Sequence, residues 1–180
     1  GDVYKRQKYG ALAGVNTARA NNLVRTALDT KLIAELSAYD VLKSEVPYGK
    51  EKSRIDFLLQ DTSGEIPDCY LEVKNVTLDE GNGMAMFPDS VTARGTKHLR
   101  ELIFMAEEGF RSVLFFCVQL SDAKSFSIAS NIDPVYAGTI NDALDKGIEI
   151  IAWRTLITSD SIALQMPIDV TLDTLGQKTR

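Results

Sequence analysis

Within the apolar strand segment Cys69 to Leu78, residues 69–74 alternate with a period of two: Cys69, Leu71 and Val73 fall on one face, Glu72 and Lys74 on the other. That pattern commits the chain to a sheet with one face covered, and it sets a carboxylate beside an ammonium on the opposite face. A second apolar segment, Ser53 to Gln60, carries Asp56 sixteen residues before Glu72, and the turn Asp61-Thr62-Ser63-Gly64 follows it. If the two strands pair as a hairpin, Asp56 joins Glu72 and Lys74. Two hard oxygen donors suit Mg²⁺ or Mn²⁺, and the lysine can position an attacking water or offset charge on a pentacoordinate phosphate. The spacing D-x(n)-E-x-K is loose. Its bland alternative is a half-exposed strand whose Glu72 and Lys74 form a solvated pair of little energetic value.

The neighbouring segments supply the frame. Ala11 to Val15 reads as a short strand and Thr17 to Ile33 as a helix, with Leu23, Val24, Ala27, Leu28 and Leu32 at helical spacing and Glu35 at its end. Val41 to Val46 adds a third strand, making a meander with Ser53–Gln60 and Cys69–Leu78. Asp79 to Met86 reads as a loop. Asp89 or Ser90 can cap a helix running to about Glu108, closed by Gly109, with Leu99, Leu102, Ile103 and Ala106 as its buried stripe. Arg94 and His98 share one flank of that stripe, and Lys97 and Glu101 are expected to point outward. Arg111 to Leu120 is a nearly continuous apolar run, as a central strand covered on both faces requires. A helix from Asp133-Pro134 to Lys146, a strand from Ile148 to Trp153, and short strands at Ile162–Leu164 and Val170–Leu172 complete the order α-β-β-β-α-β-α-β. Parallel pairing is expected wherever a helix intervenes, and a frayed tail from Gly176 to Arg180.

With 180 residues, 44% of them hydrophobic, the chain is long enough for one sizeable core. No apolar run approaches the roughly 20 residues that span a bilayer, and residues 1–8 carry charge and no apolar signal core, so a cytoplasmic location is the expectation. Cys69 and Cys117 lie in apolar strand segments and read as reduced core residues. The net charge of −5 excludes a protein that coats nucleic acid by bulk electrostatics; phosphate contacts must come from a local basic patch. Arg94, Lys97, His98 and Arg100, within two turns of one helix, are that patch, and a helix N-terminus favours anions.

Read together, Lys43-Ser44-Glu45-Val46, Ser53-Arg54-Ile55-Asp56-Phe57, Cys69 to Leu78, Met86 to Gly95 and Lys97-His98-Leu99-Arg100-Glu101-Leu102 resemble the sugar fermentation stimulation protein A family over about Gly14 to Leu172. The α-β-β-β-α-β order with Asp56, Glu72 and Lys74 is similar to the core of the PD-(D/E)xK nuclease superfamily. Pro67-Asp68 is a decoy for the eponymous Pro-Asp, because Asp68 lies on the same strand as Glu72. The resemblance implies an α/β fold with a mixed central sheet flanked by helices and a restriction-endonuclease-like core. It also implies a DNA-binding protein linked to regulation of sugar (maltose) metabolism, with an N-terminal OB-like domain ahead of the nuclease-like one. On that basis residues 1–16 are expected to be a non-native leader (1–7) and an OB-like remnant, 17–172 the nuclease-like domain and 173–180 a tail. In related nucleases a glutamate of the first helix completes the metal site, which implies a role for Glu35; Glu45 is a weaker candidate. Tyr70 is open to base stacking or cross-strand packing.

Two classes of function remain at this point. One is an Mg²⁺- or Mn²⁺-dependent DNA nuclease with Asp56 and Glu72 as ligands, Lys74 at the scissile phosphate, and Arg94, Lys97, His98 and Arg100 on the DNA. The other is a non-catalytic DNA-binding regulator on the same scaffold. Retention of Asp56, Glu72 and Lys74 favours the first; the family's description favours the second.

Overall fold

The computed structural model describes residues 13–172. A helix, α1 (Ala13–Asp29), is followed by a single 3-10 turn (Ala34–Leu36) and then by the meander β1 (Val41–Tyr48), β2 (Ser53–Gln60) and β3 (Cys69–Val76). Two short strands, β4 (Leu78–Asp79) and β5 (Met84–Phe87), lead into α2 (Ala93–Glu107), β6 (Arg111–Val118), β7 (Ser125–Ile128) and α3 (Pro134–Asp145). β8 (Glu149–Ile157), β9 (Ile162–Pro167) and β10 (Asp169–Val170) close the described chain.

The main sheet has the order β1-β2-β3-β6-β8-β9. Its first three strands are antiparallel, and β3–β6 and β6–β8 are parallel, each joined through a helix, as the expected order requires. Both faces of β6 are covered. Leu114, Phe116 and Val118 belong to the apolar cluster beneath α2 and α3, and Val113, Phe115 and Cys117 to the one beneath α1. The same division confirms the face assignment on β3, where Cys69, Leu71 and Val73 lie on the α1 side.

Several expectations are corrected. Ala13–Val15 are the first turn of α1 rather than a strand; the alanines at 13, 18 and 20 favour helix and a lone Val15 does not outweigh them. Ala11, the proposed leader and the tail 173–180 lie outside the described residues. α1 stops at Asp29, because Lys31 adopts φ +61°, so Glu35 sits on the separate 3-10 turn. The stretch read as a loop contains β4 and β5, which form a second sheet, β10-β7-β5-β4, with strands too short to show a period of two. The cap of α2 is Thr92, whose Oγ1 accepts from Gly95 N–H at 2.9 Å. Asp133 ties both helices: one carboxylate oxygen accepts from Thr92 N–H (2.8 Å), the other from Tyr136 N–H in the first turn of α3 (3.0 Å). Glu101 does not point outward. It is 1% exposed, and its two oxygens accept from the turn amides of Lys50 (2.9 Å) and Glu51 (3.1 Å) between β1 and β2. Cys69 and Cys117 are free and buried, and burial pushes both thiols up to about 12.

Candidate active site

The β2–β3 ladder runs from Leu59↔Cys69 to Phe57↔Leu71. Continued by two residues, the register would set Ile55 opposite Val73, but there the strands part. Asp56 Oδ2 accepts the Val73 N–H at 2.7 Å in place of a backbone partner. The facing changes at the same point: Phe57 packs on the α1 side of the sheet and Ile55 on the α2 side. Asp56 therefore stands in the fork between two diverging strands.

From α1, Asn21 Nδ2 donates to Asp56 Oδ1 at 3.0 Å. Burial, and then the charge of Glu72, push the Asp56 carboxyl up to about 7, against the opposing effects of the Val73 N–H, Asn21 and Lys74. Glu72 projects from β3 beneath α2 and is 3% exposed. Its Oε1 lies 2.9 Å from His98 Nδ1 and 3.3 Å from Lys74 Nζ. Lys74 Nζ is in turn 2.9 Å from His98 Nδ1, closing a triangle. Burial raises the Glu72 carboxyl, but the hydrogen bond from His98 and the charges of Lys74 and His98 outweigh it and hold the group below its ordinary value. The hydroxyls of Tyr48 and Tyr136 are buried without hydrogen-bond partners among the described residues, and both are pushed up by burial first and by the charge of Glu72 second.

Two acceptors are left unsatisfied among the described residues: Glu72 Oε2 and Asn21 Oδ1 are buried and have no donor there. A buried acceptor without a partner costs about 1–3 kcal/mol. A hard divalent cation is a ligand that would satisfy such a carboxylate oxygen, and the carboxylates of Asp56 and Glu72 match its preference. Among the described residues no group of three or more His, Cys, Asp and Glu is placed to hold a metal ion.

The other candidates are dispersed. Glu35 is exposed, and its backbone carbonyl accepts from Arg111 Nη1 at 3.0 Å. Arg111 faces Cys69 in the β3–β6 register, so Glu35 lies at the start of those strands, three residues and about 10 Å short of Glu72. Glu45 is exposed, with φ +56°, on the edge strand β1. Arg100 forks onto Glu51 at 3.0 and 3.2 Å, with both side chains about half exposed. Arg94 is exposed and Lys97 half-buried. His98, expected on phosphate, is instead buried against Glu72. Tyr70 packs between Tyr48 (5.7 Å) and Phe110 (5.4 Å). Asp68 accepts from Gln60 Nε2 at 3.0 Å and takes no part in the site. The residue the sequence reading missed is Asn21. Its signal was available, since Asn21, Val24 and Leu28 follow helical spacing on one stripe, and a polar residue there has to find a partner inside.

The family model for the sugar fermentation stimulation protein RE domain matches residues 18–161. The chain belongs to this family. A curated relative from Saccharophagus degradans, described as a sugar fermentation stimulation protein homolog, is 51% identical over 144 residues, covering 80% of this chain and 60% of the relative. The solved structure of Pyrococcus furiosus SfsA in complex with Ca²⁺ is similar with a TM-score of 0.78 and 29% identity, over 86% of this chain and 65% of that one. The chain thus spans less than two thirds of either relative. The shared fold is a mixed sheet flanked by helices with the nuclease-like core described above. Among the described residues, no helix is long and apolar enough to cross a membrane.

Proposed function

We propose that this domain binds DNA and hydrolyses its phosphodiester bonds with a divalent cation, Mg²⁺ or Mn²⁺, held by Asp56 and Glu72. The observation that carries the reading is the fork at Asp56: two buried carboxylates on adjacent strands, near enough for the charge of Glu72 to raise Asp56, Glu72 with an oxygen left unsatisfied among the described residues and Asp56 pushed up to about 7. The Ca²⁺ in the Pyrococcus furiosus relative supports a hard-cation site in this fold. When bound, the cation would polarise the phosphoryl oxygen and lower the pKa of an attacking water.

The chain's own residues supply the remainder. Asn21 orients Asp56, and the Val73 N–H fixes its second oxygen. Lys74, beside Glu72, places an ammonium where charge develops on phosphate. DNA would approach over the β1–β2 turn, where Tyr48, Lys50, Lys52, Ser53 and Arg54 line a groove of about 430 Å³. Lys50, Lys52 and Arg54 form no ion pair among the described residues, and Arg54 is two residues, about 7 Å of strand, from Asp56. In a chain of net charge −5 this is the local positive surface that phosphate contact demands, with Arg94 and Lys97 of α2 extending it. The family's name, sugar fermentation stimulation protein, supports sugar (maltose) metabolism as the process that this DNA-binding reading would serve.

The test is incubation of the chain with end-labelled single- and double-stranded DNA, with and without Mn²⁺, following retention and fragment length together. Mn²⁺-dependent fragments that disappear in Asp56→Asn are expected. Retention without fragments under any divalent metal would replace the nuclease by a DNA-binding regulator on the same scaffold.

A further inference from the structure

The two oxygens of Glu72 have different fates. Oε1 is 2.9 Å from His98 Nδ1 and 3.3 Å from Lys74 Nζ, whereas Oε2 is buried and has no partner among the described residues. The terminal torsion of a glutamate is broad, so nothing intrinsic to the side chain decides which oxygen turns where. Lys74 is a weak orienter, because its ammonium ends a flexible stem and its 3.3 Å contact is longer than a good charge-assisted hydrogen bond. His98 is of another kind. It arrives from α2, whose Leu99 and Leu102 are fully buried and whose Glu101 is latched to the β1–β2 turn, so the ring is 8% exposed and seated on a fixed element.

We propose that His98 is a positioning residue of the cation site: its Nδ1–H pins Glu72 Oε1 on one side, where Lys74 Nζ also reaches it, leaving Glu72 Oε2 turned toward the cation. The inference rests on the metal reading above and adds to it a residue of no ligand role. Nδ1 is the working atom, and in this role it carries the ring proton and donates it to Oε1 at 2.9 Å, while the Lys74 ammonium donates to the same oxygen at 3.3 Å. Partners that fix a ligating group in this way typically contribute 10- to 100-fold in metal affinity. The same geometry removes His98 from the DNA surface, since the ring is buried and Nδ1 is committed inward.

Asparagine places its amide near the position of Nδ1, and glutamine places its amide near Nε2. The experiment is therefore Mn²⁺ titration of the whole chain without DNA, by calorimetry or by the spin signal of free Mn²⁺, on wild type, His98→Ala, His98→Asn and His98→Gln. His98→Ala and His98→Gln should weaken Mn²⁺ by about 10- to 100-fold and His98→Asn by no more than about 3-fold, with metal-free DNA retention unchanged in all three. Wild-type Mn²⁺ affinity in His98→Ala, or equal weakening in the Asn and Gln variants, would overturn the positioning role alone. If His98→Ala does not fold, the Asn and Gln pair, differing by one methylene, still decides the matter. Wild type that binds no Mn²⁺ rejects the metal reading and the inference together, and lower metal-free DNA retention in His98→Asn returns the ring to the phosphate surface.

Discussion

Asp56 Oδ2 takes the Val73 N–H at 2.7 Å at the register position where β2 would otherwise have continued its ladder with β3. The exchange of a backbone partner for a carboxylate opens the sheet at this point and buries an acid beside Glu72. An acid so placed opposes folding when it ionises.

That opposition is measurable. The folded Asp56 is raised from 3.8 to about 7, so between those values the native state holds more protons than the unfolded chain, and stability falls as pH rises through the window. Asp56→Asn removes the dependence while its amide oxygen can still accept from Val73. Chemical denaturation at pH 4 and pH 8 should show the variant gaining on wild type by up to about 4 kcal/mol across that range, from roughly 1.4 kcal/mol per pK unit. Saturating Mn²⁺ should stabilise wild type at pH 8 and leave Asp56→Asn unmoved. A constant difference between the two proteins from pH 4 to pH 8 would mean that Asp56 ionises as freely as in the unfolded chain.

Glu101 makes a second prediction, on stability rather than chemistry. Both of its oxygens accept turn amides, and a Cβ on Gly49, which has φ +75°, would lie 2.0 Å from Oε2. Glu101→Gln should therefore cost nearly as much as Glu101→Ala, about 2–4 kcal/mol, because its NH₂ would face an N–H donor. Gly49→Ala should cost about 2 kcal/mol or more from the left-handed backbone and the clash together. Urea midpoints of the three variants check this. A Gln variant as stable as wild type would show that one amide alone holds the turn.

Lys74 separates catalysis from binding. Its ammonium touches Glu72 Oε1 and His98 Nδ1, and the unsatisfied Oε2 is not among its contacts. Lys74→Ala should lower Mn²⁺-dependent cleavage by on the order of 10² or more. The Mn²⁺ affinity measured calorimetrically should stay the same or rise, since a neighbouring positive charge has been removed. Equal losses in cleavage and metal affinity would make Lys74 a support for Glu72 instead.

The meander was legible in the sequence because β3 shows a period of two that a covered face enforces, and the central strand because an apolar run is what a strand covered on both faces requires. The inward turns of Glu101 and His98 were not. On α2, residues 98, 101, 102 and 105 follow i, i+3, i+4, i+7 spacing, so the buried stripe already contained His98 and Glu101. Their polarity pointed to solvent, whereas their partners, a turn 50 residues upstream and a strand carboxylate, exist only once the helix is laid on the sheet. Glu35 failed for the opposite reason: its assignment depended on a continuous first helix, which the left-handed Lys31 interrupts.

The last prediction concerns where DNA lies. Arg100 is engaged by Glu51 and His98 by Glu72, so of the α2 cations Arg94 and Lys97 remain, and the β1–β2 turn adds Lys50, Lys52 and Arg54. A handful of phosphate contacts implies a log–log salt slope of about −2 to −4, and each lost contact should shallow it by about one unit. Arg94→Ala, Lys52→Ala and Arg54→Ala should each do so, with a loss of affinity similar for unrelated DNA sequences, because phosphate contacts carry no base information. Arg100→Ala should shallow the slope less, since its guanidinium is already held by Glu51 and is not free for a phosphate contact of its own. Anisotropy titrations over a salt series, in the absence of divalent metal, read all four variants. Unchanged slopes in Lys52→Ala and Arg54→Ala with a reduced slope in Arg94→Ala would confine the DNA to α2, and unchanged slopes throughout would move it off this face altogether.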